Sequence, residues 1–299
     1  MLRPIHKNRE FLEQKYRGRE SARHTLRWYH KLAMRVFRLS FLRKPGLKNA
    51  ANLRLNQVEL HLENLPPEFN GCRILLITDI HTDGIPDVVE RIVRLVEGVD
   101  YDYCFLGGDY SFDLNGGDER VRQHVDEVVR YLVKKSRVFG ILGNHDIYRT
   151  AELLDELGVE MLLNESVCIE RNEKKIYLVG VDDCIFFNAA EVEQAGADVP
   201  SDAFKIILSH SPDLYKQAAQ IGYSLYLSGH THGGQICLPG GIALTSDAHV
   251  PRRLVKGKWE YKGMVGYTSY GVGASIAPVR FFCRPEIALL VLTRADNTG

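Results

Sequence analysis

Five short apolar runs, at residues 73–78, 101–106, 137–142, 204–208 and 224–227, do most to narrow the folds open to this chain. A continuous apolar run of this length is what a strand buried on both faces requires. Each run stops in a small polar cluster. The clusters are Asp79-Ile80-His81, Gly107-Gly108-Asp109-Tyr110, Gly143-Asn144-His145-Asp146, Ser209-His210-Ser211-Pro212, and the stretch 228–235, which reads SGHTHGGQ. Helical patterns at 86–96, 118–135 and 151–157 separate the first runs. Strands alternating with helices specify an α/β core. In such sheets, sites form outside the carboxyl ends of the strands.

The remaining chain is β-rich. Residues 53–62 alternate apolar and polar, as a half-buried strand does. Further β runs fall at 167–170 and 175–181. Beyond Gln235 helix signals vanish, and β runs appear at 264–270 and 287–293. This half of the chain is expected to build a second sheet, mixed or antiparallel.

Charge is unevenly spread. The chain is neutral as a whole, yet residues 1–56 carry 15 Lys and Arg against 3 Asp and Glu. A basic arm therefore precedes an acidic body, an asymmetry that points to an anionic partner for the arm. Residues 8–43 are expected to be helical. From Leu26 the apolar positions recur at spacings of three and four, with Arg27, Lys31, Arg35 and Arg38 mostly on other faces. A basic amphipathic helix with aromatics can lie in a membrane interface against anionic headgroups. The alternatives are a helix docked on the body and an arm that binds nucleic acid. The acidic body and the lack of stacking aromatics near the clusters argue against nucleic acid. Pro45-Gly46 is expected to close the arm. The domain division expected is 1–50 for the arm and 51–299 for the body. The six cysteines form no C-x-x-C pair, so a reducing compartment is expected. With no apolar run of about 18 residues and no secretory signal, a cytoplasmic protein is expected, with the arm a candidate for peripheral attachment to the inner membrane face.

The five clusters offer two carboxylates, one amide oxygen and four histidines besides His145. Mixed oxygen and imidazole donors suit manganese, iron, zinc or cobalt, and do not suit calcium alone. Seven ligands exceed the needs of one ion and serve two if one carboxylate bridges. Two ions roughly 3.5–4 Å apart can activate a water and stabilise in-line displacement at phosphorus.

The series TDIH, GGDY, GNHD, SHSP and SGHTHGGQ resembles the calcineurin-like metallophosphoesterases, over about residues 73–235. The tail GVGASIAPVRFFCRPEIALLVL looks like the bacterial branch that contains the YkuE and YaeI phosphodiesterases. The resemblance implies a four-layer αββα sandwich. It implies Asp79, His81 and His232 on one divalent ion, Asn144, His210 and His230 on the other, and Asp109 bridging, with manganese the first expectation. It also implies that His145 protonates the leaving oxygen and that Asp146 orients His145. His249, Arg252, Arg253 and Arg280 are candidates for contacts to a second phosphate or a headgroup. By analogy with this superfamily, the substrate expected is a phosphodiester or pyrophosphate linked to membrane lipid, for example UDP-2,3-diacylglucosamine cleaved to UMP and a lipid monophosphate. A soluble nucleotide phosphodiesterase is the second reading, and a non-catalytic scaffold of the same fold the third.

Overall fold

A computed structural model describes residues 9, 11–13, 15, 41–82, 84, 85, 87–110, 118–244, 246–275 and 277–295. Strands β1 (Arg54–Leu62), β14 (Glu286–Arg294), β2 (Arg73–Ile77), β3 (Tyr103–Leu106), β4 (Arg137–Gly140) and β5 (Glu160–Met161) form one six-stranded sheet in that order. A second sheet runs β12 (Gly257–Tyr261), β13 (Met264–Thr268), β9 (Leu225–Ser228), β8 (Lys205–Leu208), β7 (Lys174–Gly180) and β6 (Glu165–Arg171). Strands β2, β3 and β4 are parallel, as are β7, β8, β9 and β13. All of these strands therefore deliver their carboxyl ends to one side.

Each sheet is apolar on both faces, and three clusters fill the space. Between the sheets, Ile74, Leu76, Phe105 and Phe139 meet Leu178, Ile206, Leu208 and Leu227. The outer face of the first sheet buries Leu75, Ile77, Cys104 and Leu106 under helices Val88–Val96, Asp118–Lys135 and Tyr148–Glu156. The outer face of the second sheet packs Val179, Ile207 and Tyr226 with Trp259, Tyr215 and Ala218. The layers are helices, sheet, sheet, helices, as the sequence led one to expect. Strand β14 explains how the tail joins the first sheet. It lies parallel to β1 and antiparallel to β2, so the chain's two β-rich ends close one edge together.

Most of the expected arm helix, 8–43, lies outside the described residues. Residues 9, 11–13 and 15 are helical, and a second helix runs Arg43–Ala50. Pro45-Gly46 falls within that helix instead of closing the arm. Proline is tolerated in a first turn because the amide hydrogens there have no intrahelical partner. Gly46 sits where a Cβ would be 2.9 Å from Phe281 and Val279, so the glycine allows the helix to pack.

Candidate metal centre

Seven polar side chains converge where the parallel strands end. Asp79 and His81 follow β2, Asp109 follows β3, Asn144 follows β4, His210 follows β8, and His230 and His232 follow β9. All seven are buried. Close approach of the loops makes this possible. A Cβ on Gly143 would lie 2.2 Å from Asp109 Oδ1, and one on Gly229 2.4 Å from Asp79 Oδ2. Five of the seven have left-handed backbone: Asp79 (φ 54°), His81 (44°), Asp109 (58°), His230 (69°) and His232 (49°). Left-handed non-glycine residues cluster where a site over-determines the backbone.

The donors fall into two groups, Asp79, His81 and His232, and Asp109, His210 and His230. In the first, His81 Nε2 lies 3.3 Å from His232 Nε2 and 3.7 Å from Asp109 Oδ2, and His232 Nε2 lies 3.7 Å from Asp79 Oδ1. In the second, His210 Nε2 lies 3.1 Å from Asn144 Oδ1, 3.2 Å from His230 Nδ1 and 3.2 Å from Asp109 Oδ2. Ligands about 2.1 Å from one tetrahedral ion lie about 3.4 Å from each other. The observed spacings match that edge, and Asp109 Oδ2 reaches into both groups. The ring of His210 is fixed from behind, because its Nδ1 lies 2.8 Å from Gly107 O. Donation from Nδ1 leaves Nε2 free for an ion. The residues fit two divalent cations.

Electrostatics agree. Burial pushes Asp79 up to about 6, although His210 pulls it the other way. Burial also opposes charge on Asp109, but the imidazoles of His210, His145 and His81 override it and hold this carboxyl well below the usual range. For His210, burial again works against the charge, and Asp109 outweighs it, raising the imidazole to about 10. His230 drops to about 4, through burial and then through His210. The His210 imidazolium thus faces the Asp109 carboxylate across 3.2 Å within the buried cluster.

His145 stands half-buried at the edge of this cluster, its ring edge-on to His81 at 5.3 Å between centroids. Its backbone N–H donates to Asp109 Oδ1 at 2.9 Å. Asp146 differs from expectation. Its carboxylate accepts from the backbone N–H groups of Gly143, Asp109 and Tyr110 at 2.7, 2.7 and 2.9 Å. It ties two ligand loops together and acts on His145 through the backbone. Burial, then Asp109, raises Asp146 to about 6.

Arg280 also departs from the sequence reading. It is fully buried and donates to the carbonyls of His232, Tyr270, Gly271 and Gly273. A guanidinium spent on four carbonyls braces the His232 loop and offers nothing to a headgroup. His249, Arg252 and Arg253 are exposed, and His249 pairs with Asp213 at 3.6 Å.

Arg9 was not singled out in the sequence. It is buried, stacks 3.6 Å over Phe187, and donates to Asp146 O at 2.9 Å and Gly143 O at 3.3 Å. It also pairs with Asp182 and Glu13, and Glu13 accepts from the Tyr148 N–H at 2.6 Å. Asp182 follows β7, another acid just past a strand end, which was the available signal.

A sequence profile of calcineurin-like phosphoesterases matches residues 72–234, more than half of the chain. The chain belongs to the calcineurin-like phosphoesterase family. A Danio rerio protein named for a transmembrane segment and a metallophosphoesterase domain is 31% identical over 272 residues, covering 84% of this chain and 60% of the relative. The chain thus spans under two thirds of that relative's length. The phosphodiesterase YaeI of Escherichia coli is 28% identical, over 74% of this chain and 82% of its own. The metallophosphoesterase YkuE of Bacillus subtilis is 29% identical, over 76% and 81%. These relatives bear out the bacterial branch read from the tail. This phosphoesterase is a metal-dependent phosphoester hydrolase with two candidate ion sites. Among the described residues, no helix is long and apolar enough to cross a membrane.

Proposed function

We propose that this phosphoesterase is a two-metal phosphodiesterase or pyrophosphatase acting on a lipid-linked substrate, with manganese as the working ion. The observation that carries the hydrolytic part is the pair of buried donor groups sharing Asp109 Oδ2. Two ions bound there supply Lewis acidity to the phosphoryl oxygens and lower the pKa of a water. Asp79, His81 and His232 would hold one ion, Asn144, His210 and His230 the other, with Asp109 shared between them. His145, half-buried beside His81, hydrogen-bonds the phosphoryl group and gives its proton to the leaving oxygen. Asp146 and Arg9 keep the 143–146 loop in place for that transfer. His249, Arg252 and Arg253, exposed on the loop before β12, are proposed to meet a second phosphate or a headgroup.

The lipid part rests on the basic arm, and its concrete form is cleavage of a UDP-diacylglucosamine type of molecule to UMP and a lipid monophosphate. The test is hydrolysis by manganese-loaded protein of a chromogenic diester and of lipid-linked pyrophosphates in micelles. Turnover of both, with two ions per chain, supports the reading. Turnover of the soluble diester alone, unchanged by lipid, would leave a soluble phosphodiesterase for nucleotides or other small diesters.

A further inference from the structure

The hairpin that follows the His230/His232 motif has an unusual surface. Strands β10 (Cys237–Leu238) and β11 (Ile242–Ala243) pair antiparallel around Gly240-Gly241. Their side chains Leu238 and Ile242, with Ile236 and Leu244 beside them, are exposed, Ile242 at 54%. Phe282 lies on the same surface, 61% exposed. Ile236 bridges to Phe281, Cys237 N–H donates to Phe281 O at 2.9 Å, and a Cβ on Gly241 would lie 3.5 Å from Phe282 O. Phe282 has φ 48°, a costly conformation for an aromatic residue. A strained aromatic held out into solvent beside four exposed aliphatic side chains is not explained by the core.

The surroundings are basic. Helix Arg43–Ala50 abuts this strip, because Arg280 N–H donates to Gly46 O at 3.1 Å and Gly46 lies against Phe281. That helix exposes Arg43, Lys44 and Lys48, and Phe41 just before it is 90% exposed. Arg284 is exposed and bonds Asn52, just past the end of that helix. Residues 41–50, 235–244 and 279–285 contain no Asp or Glu. Contiguous apolar side chains bordered by these cations match the chemistry of a bilayer surface carrying anionic headgroups.

We infer that the Cys237–Ala243 hairpin and Phe282, rimmed by Arg43, Lys44, Lys48 and Arg284, dock this phosphoesterase on an anionic lipid surface. The hairpin is rooted on the metal loop. Cys237 Sγ donates to Gly233 O at 3.4 Å, and a Cβ on Gly234 would lie 2.4 Å from that of Ala243. Docking therefore sets the His230/His232 loop within one short hairpin of the lipid. This deepens the lipid-substrate reading given above and rests on it for its purpose, while the binding itself stands on the surface.

The full chain is sedimented with phosphatidylcholine vesicles with and without phosphatidylglycerol, alongside Leu238→Asp/Ile242→Asp and, separately, Phe282→Asn, which suits a positive φ. The wild type binds the anionic vesicles, and added salt weakens it. Each variant binds roughly tenfold more weakly or worse, while turnover of a soluble chromogenic diester stays at the wild-type level and reports intact folding. Wild-type binding by the variants assigns attachment to the arm and overturns the inference. So does failure of the wild type to bind, including the case of a dimer that the variants dissolve. Vesicle binding without hydrolysis of any lipid-linked diester sinks the substrate reading and leaves the docking surface. Micellar lipid turnover without vesicle binding does the reverse.

Discussion

Left-handed backbone at Asp79, His81, Asp109, His230 and His232 costs about 1–2 kcal/mol per residue. The loops hold it with specific bonds: Asp79 N–H to Gly108 O, His81 N–H to Asp109 O, and His230 N–H to Asp79 Oδ1. His145 donates its main-chain N–H to Asp109. His145→Ala is expected to lower kcat by roughly 10²–10⁴ while bound metal, measured by elemental analysis, stays at the wild-type level. A parallel loss of metal would reassign His145 as a ligand. Arg280 gives the opposite signature. Arg280→Lys strands several buried carbonyls, so a loss of about 3–5 kcal/mol in unfolding free energy is expected, with little change in KM. A KM effect without destabilisation would restore it to the substrate. The convergence of these seven side chains was legible because five polar clusters at successive strand ends are hard to explain as caps. Arg280 was not, since one arginine in a glycine-rich tail reads alike whether it faces solvent or four carbonyls.

Helices and strands were largely readable where period and length agreed. The pattern over Asp118–Lys135 and the buried runs at β2, β3 and β8 appear where the spacing put them. What the pattern could not show was pairing across long separations. Arg9 meets Asp146 O from 137 residues away and Asp182 from 173, and no local signal marks either contact. Strand β14 inserting between β1 and β2 is of the same kind. The Arg9 contact makes one turn of the N-terminal helix part of the 143–146 loop's support. Its guanidinium is buried, so truncation removes the cation facing Asp182 and a donor from the carbonyls of Gly143 and Asp146. Arg9→Ala is expected to reduce kcat about tenfold or more and to lower stability by about 3–5 kcal/mol. Arg9→Lys should recover stability only in part, because an ammonium lacks the planar fork. Kinetics and thermal unfolding of the two variants check this. Wild-type kcat in Arg9→Ala would show that the loop needs no such brace.

Across the whole molecule the two proposed ions would act as bolts between the sheets. Asp79, His81, Asp109 and Asn144 come from the first sheet, and His210, His230 and His232 from the second. Each proposed ion therefore takes ligands from both sheets, and binding to the folded state alone adds stability, about 2.7 kcal/mol at a hundred times Kd. Chelation should lower the unfolding temperature accordingly. Protons compete for the same atoms. Asp109 raises His210 to about 10, so near neutrality an entering ion must displace the His210 proton. The sign follows: affinity for manganese rises with pH from neutrality toward about 10. It falls more steeply below about 6, where Asp79 also takes up a proton. Titration calorimetry near pH 8 in buffers of different ionisation enthalpy should show release of about one proton as the site fills. Affinity that does not change between about pH 7 and 9 would mean that His210 carries no proton in the ion-free protein, and that the Asp109–His210 pair is not what the ions replace.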